Sequence, residues 1–99
     1  MTYEQIEECL VNRHNWKKIT YQDYKREYWN IKVWIYCRFK LEITFELKVN
    51  NIDTHFEDKY IEIQKIKYDI DKNLINYDML AVLINEKANR LRNELERGL

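Results

Sequence analysis

Ninety-nine residues are enough for one domain with one core, and a chain of this size buries roughly 60–70% of the surface its unfolded form exposes. Seventeen basic residues balance seventeen acidic ones, so the chain lacks the net positive charge that indiscriminate binding to nucleic acid or anionic lipid needs. Two cysteines, Cys9 and Cys37, are too few for a disulfide framework and lack the paired short spacing of a zinc site, which points to a reducing, cytoplasmic setting.

The longest nearly uncharged apolar run covers residues 79–84, far short of the roughly 20 residues a membrane span needs. Glu4, Glu7 and Glu8 stand where the apolar stretch of a signal peptide would begin. Charge is unevenly spread: residues 25–50 carry +3 and residues 51–72 carry −2. Ile, Lys, Asn and Tyr are abundant, whereas Ala, Gly and Pro together number three. That usage is expected of an AT-rich gene, as in a low-GC bacterium or its phages and plasmids.

In chain order, Thr2 and Gln5 form a capping-box pattern, and Ile6, Cys9, Leu10 and Arg13 follow helical spacing. A short helix is expected over residues 3–12. Residues 16–28 are ambiguous: Ile19 and Tyr21 alternate like a strand, while Tyr21, Tyr24, Lys25 and Tyr28 suit a helical face capped by Thr20. The strongest pattern comes next. Every odd position from Trp29 to Val49 is apolar, and the even positions between are mostly polar or amphipathic, which means extended chain with one buried face. One straight strand of that length would run about 70 Å, against a diameter near 33 Å for a compact domain of about 13 Å gyration radius. The chain must therefore bend or turn back. A two-residue loop would exchange the odd and even faces, so a hairpin here needs a loop of three or five residues near 38–41. With no Gly, Pro, Asn or Asp there to favour a turn, a coiled, bent strand is the alternative.

Asn50, Asn51 and Asp53 signal a turn. Residues 59–70 read as a strand in which Ile61 and Ile63 share one parity and Ile66, Tyr68 and Ile70 the other, predicting a β-bulge near Gln64 and Lys65. Residues 71–73 should cap a long helix from about Leu74 to Arg97, stopping at Gly98 as a left-handed terminus. Its seam is Tyr77, Ala81, Ile84, Ala88, Leu91 and Leu95, a spacing that serves docking on a sheet or a homodimer through the C-terminal helix. The expected fold is α+β: one domain over residues 1–99, an N-terminal helix, an antiparallel sheet of three to four strands, and the long helix packed on it.

No catalytic, metal or cofactor site emerges. His14 and His55 each lack a second ligand at helical spacing. Asp53, His55, Glu57 and Asp58 read as an ordinary solvated loop. Cys37 and Cys9 fall on apolar faces and read as core thiols. Glu46 and Lys48, with Asp23 upstream, carry the Glu-x-Lys pattern of restriction-type nucleases, but that pattern is common on solvated strands. The element order is that of the double-stranded RNA-binding domain, yet the basic helix start that touches phosphate there has no counterpart at residues 73–78, and no family is assigned.

The candidate binding surface is Tyr28, Lys32, Trp34, Tyr36, Arg38 and Lys40, three aromatics and three cations on the even side of the long β segment. Trp, Tyr and Arg dominate protein–protein hot spots. The same set, with rings to stack bases and cations to hold phosphates, also describes a single-stranded nucleic-acid surface. The structural reading is a second core under one of the helices. The leading expectation is a non-catalytic protein-binding or inhibitor module. Its origin in a phage or mobile element would make the partner a host protein, such as a CRISPR effector. Nucleic-acid binding by the same face is the alternative.

Overall fold

The computed structural model describes residues 2–49 and 59–98. The elements are α1 (Tyr3–Glu7), continued by a π-helical turn (Glu8–Arg13), β1 (Lys17–Lys18), β2 (Asp23–Tyr28), β3 (Ile31–Cys37), β4 (Lys40–Val49), β5 (Lys59–Asp71) and α2 (Tyr77–Gly98). The five strands form one antiparallel sheet in the order β1-β2-β3-β4-β5. The expected α+β architecture is present, with five strands where three to four were expected: the ambiguous segment supplies β2, and β1 adds a two-residue edge. Both the turn at Asn50, Asn51 and Asp53 and the acidic loop around His55 lie outside the described residues.

The long alternating segment is a hairpin. Cys37 faces Leu41 and Ile31 faces Leu47, so three residues, Arg38, Phe39 and Lys40, form the loop and parity is kept. Ile31, Val33, Ile35, Cys37, Leu41, Ile43 and Phe45 are buried on the odd face. The alternation overstates burial at three odd positions: Phe39 is 87% exposed at the hairpin tip, Trp29 is 79% exposed in the preceding turn, and Val49 emerges at the strand end.

On β5, Phe45 pairs with Gln64 but Glu46 pairs with Glu62, which leaves Ile63 as the extra residue of a bulge one position from that predicted. The phase slip lets Ile61, opposite Leu47, and Ile66, opposite Ile43, both stand on the core side.

Both helices cover that side. The Thr2–Gln5 capping box is made in both directions, and Ile6, Cys9 and Leu10 point into the core. Tyr77, Leu80, Ala81, Ile84 and Ala88 of α2 are buried, with Leu91 and Leu95 packed at the margin; the seam is committed to the chain's own sheet. The small side chains of Ala81 and Ala88 let the helix lie close to β3. Two termini of α2 differ from expectation. A 3-10 turn at Lys72–Leu74, capped by the Asp71 carboxylate, precedes the helix, and Asn76 is the true cap, its side chain accepting from the Met79 amide at 3.1 Å. Gly98 is helical rather than left-handed. No helix among the described residues is long and apolar enough to cross a membrane.

Candidate binding face and a cysteine–histidine–aspartate cluster

With both helices on the odd face, the opposite face of the sheet has no described element over it. β3 places Lys32, Trp34 and Tyr36 at its centre, where they alternate with core residues. Register brings Lys25 of β2 beside Trp34, Glu27 beside Lys32 and Asp23 beside Tyr36. From the other side β4 brings Glu46 beside Lys32, Thr44 beside Trp34 and Glu42 beside Tyr36.

These neighbours form a connected network. The Trp34 and Tyr36 rings are parallel within 3° at 6.0 Å. The Trp34 indole N–H donates to the Glu46 carboxylate. Lys25 and Lys32 lie 5.7 and 6.0 Å from the Trp34 ring centroid, and Lys32 sits 3.7 Å over Tyr60 of β5. Such contacts contribute about 0.5–1 kcal/mol each where exposed. Glu27 pairs with Lys25 at 3.6 Å and with Lys32 at 3.9 Å. Arg38 leans back from the hairpin loop over Tyr36 and reaches the Asp23 carboxylate at 3.2 Å. Lys65 bridges Glu42 and Glu62. Burial first, then the neighbouring carboxylates, raises the Tyr36 phenol above its ordinary pKa, so the ring presents a neutral O–H.

Of the six sequence-predicted residues, Lys32, Trp34, Tyr36 and Arg38 are brought together. Lys40 stands apart at the hairpin end, paired with Asp69 at 2.8 Å. Tyr28 is a correction. It faces Ile31 and is buried in the core, with Arg26 stacked on its ring at 4.9 Å. The cause is the two-residue turn at Trp29 and Asn30, which exchanges the faces between β2 and β3, as such a turn must. The turn was hidden because a tryptophan occupies a position with φ of +59°, where glycine or asparagine is the usual signal. Lys25, Glu27 and Tyr60 are members the sequence reading missed, because the strand state of residues 23–28 and the pairing of β5 were needed to find them.

Among the described residues, none forms a second core over this face. The face also does not assemble the nuclease pattern. Asp23 and Glu46 lie on strands two apart and are offset by four residues, a separation of about 16 Å from strand spacing and rise. Asp23 is held by Thr20 and Arg38 instead.

A second constellation was invisible in the sequence. Cys9, His14 and Asp78 meet where the π-helical turn touches the start of α2. The Cys9 thiol donates to Asp78 Oδ1 at 3.3 Å, and His14 Nε2 lies 2.8 Å from the same oxygen. Arg13 pairs with the other oxygen at 3.3 Å. Residues five apart on an α-helix are turned by about 140° from each other; the wider π turn lets Cys9 and His14 share a side. The backbone carbonyl of His14 accepts from Arg26 at 2.7 Å, which fixes the turn to β2. His14 and then Cys9 hold the Asp78 carboxyl below its usual range, while burial and then Asp78 push the Cys9 thiol up. Cys37, buried under α2, is pushed up to about 12 by burial. Neither thiol has the depressed pKa of a nucleophile.

No family model matches the chain, and no curated protein or solved structure matches it.

Proposed function

We propose that the chain is a non-catalytic protein-binding module that docks a partner on the uncovered sheet face around Trp34 and Tyr36, with Lys32 and Arg38 at its rim. One observation carries the reading: a stacked Trp–Tyr pair lies half-buried at the centre of a sheet face over which no described element packs. Large aromatics already ordered by neighbours lose little freedom on binding and exclude water well, which is why such residues dominate interface energetics.

Charge pairing favours protein over nucleic acid as the ligand. Lys25, Lys32, Arg38, Lys40 and Lys65 all have carboxylate partners, and the Glu46 carboxylate sits at the Trp34 indole edge. A phosphate chain crossing this face would meet Asp23, Glu27, Glu42 and Glu46 as well as cations. A protein partner with charges of both signs around an apolar centre fits better. With the composition of an AT-rich mobile gene, that partner is a host protein, and inhibition of a host defence enzyme such as a CRISPR effector is the specific form we put forward.

The test compares wild type with Trp34→Ala/Lys32→Ala in host-protein capture and in inhibition of the captured enzyme. The double variant should lose at least about 30-fold in affinity, the effect of a hot-spot pair worth about 2 kcal/mol, while staying folded. Unchanged capture by the variant overturns the site. Oligonucleotide binding that weakens steeply with salt, by about a decade or more for several phosphate contacts, overturns the choice of partner. A second copy is the competing protein ligand, since Met79, Val82 and Leu83 stand exposed on α2; sedimentation velocity distinguishes it.

A further inference from the structure

We propose that Cys9, His14 and Asp78 form a binding site for a zinc-class divalent ion, with the fourth position open to water or to a ligand from outside. The three donor atoms, a sulfur, an imidazole nitrogen and a carboxylate oxygen, all lie within 4.8 Å of one another. A tetrahedral zinc with bonds of about 2.3 Å to sulfur and about 2.0 Å to nitrogen or oxygen spaces its donors about 3.3–3.6 Å apart. Sγ and Oδ1 are already at 3.3 Å, and Nε2 and Oδ1 at 2.8 Å need to part by only about half an ångström.

The mixed set of thiol, imidazole and carboxylate selects zinc or cobalt over magnesium or calcium, which take oxygen donors. The surroundings resemble a second layer of support. Arg13 holds Asp78 Oδ2, leaving Oδ1 to face the thiol and the ring, and Arg26 fixes the backbone that carries His14. Binding is balanced as an exchange. The ion replaces the two hydrogen bonds now converging on Oδ1: the thiol proton leaves to solvent, and the imidazole proton moves to Nδ1. The resulting thiolate and carboxylate neutralise the dication. A nucleophilic role for the thiol fits less well, because Cys9 is fully buried and bonded to the carboxylate rather than to the imidazole.

The full chain, reduced and stripped with chelator, is titrated with Zn²⁺ and separately with Co²⁺. The expected result is one equivalent bound, release of about one proton per ion, a higher melting temperature, and a thiolate-to-cobalt charge-transfer band in the near ultraviolet. Cys9→Ser removes the band. His14→Gln and Asp78→Asn, at partly exposed positions, weaken binding by about 100-fold or more with the far-ultraviolet circular dichroism unchanged; even outer-layer losses reach 10–100-fold. Those two variants decide the matter if Cys9→Ser fails to fold. Cys37→Ser and His55→Ala bind as wild type. Absence of uptake at tenfold excess of metal, uptake that survives His14→Gln and Asp78→Asn, or a cobalt complex without the charge-transfer band overturns the site and leaves a hydrogen-bonded clasp between α2 and the π turn.

Discussion

The two faces of the β2–β3–β4 sheet are built from the same strands and hold similar numbers of large side chains, yet they use them in opposite ways. On the odd side of β3, Ile31, Val33, Ile35 and Cys37 are sealed under the helices, with little chemistry beyond shape. On the even side, Lys32, Trp34 and Tyr36 are half-buried by one another and by paired charges. A dry face gains from excluding water and is sensitive to volume. The wet face keeps its aromatics ordered without covering them, so its order is available to a partner. One difference teaches the other: the face that stabilises the fold has no residue to spare for recognition, and the face we propose for recognition is the one expected to contribute little to the fold.

The largest effect should come from the dry face. Ile35→Ala opens a cavity under α2 and is expected to cost about 2–5 kcal/mol in chemical denaturation, a large part of the roughly 5–15 kcal/mol that holds a domain together. A similar loss from Trp34→Ala would erase the contrast between the faces. Alkaline pH sharpens it next. Cys37 is raised from 9.0, and Tyr24 from 10.0, to about 12, in both cases first by burial. Below pH 9 the stability from keeping these groups neutral is fully present. As pH rises toward 12 the unfolded chain loses its protons first, and stability falls. Denaturation midpoints should therefore drop between pH 9 and pH 12, and Tyr24→Phe with Cys37→Ala should flatten the decline.

Trp34→Ala itself should cost the isolated fold only about 1 kcal/mol, the loss of ring stacking and cation contacts, while supplying much of the loss in partner affinity expected of the double variant. The smallest effect belongs to the turn that joins the two registers. Trp29 holds a left-handed conformation that is an outlier for a bulky side chain. Trp29→Gly, which takes positive φ without steric cost, should raise stability by at most about 1 kcal/mol, even after losing the Arg92 guanidinium stacked 4.5 Å from the indole. Thermal melts of wild type and variant measure it.

Much of this arrangement was legible in the sequence, because alternation reports burial directly. The odd length of any loop near 38–41, the bulge on β5 and the α2 seam all follow from which residues must face the core, whereas the choice between a hairpin and a bent strand there is decided only by the pairing of β3 with β4. What escaped had no periodic signature. Residues 23–28 carry tyrosines that satisfy helix and strand alike, and only pairing with β3 decides between them. Trp29 conceals a tight turn because its residue type argues against one, and Tyr28 was therefore read on the wrong side. Asp78 lies 64 residues from His14 and 69 from Cys9, and no local pattern links partners so distant.

The strand order has a further consequence, for how the chain reaches its native state. Each strand lies beside its immediate predecessor in sequence, so sheet assembly proceeds by short loop closures that cost little entropy. The helices are different: the π turn and the start of α2 meet across more than sixty residues. Zipping of neighbouring hairpins should thus run ahead of the sealing of the core by the terminal helices. A nascent chain emerging N-terminus first would hold a formed sheet without its α2 cover until that helix is released, the interval in which its greasy side is most vulnerable to chaperones and self-association.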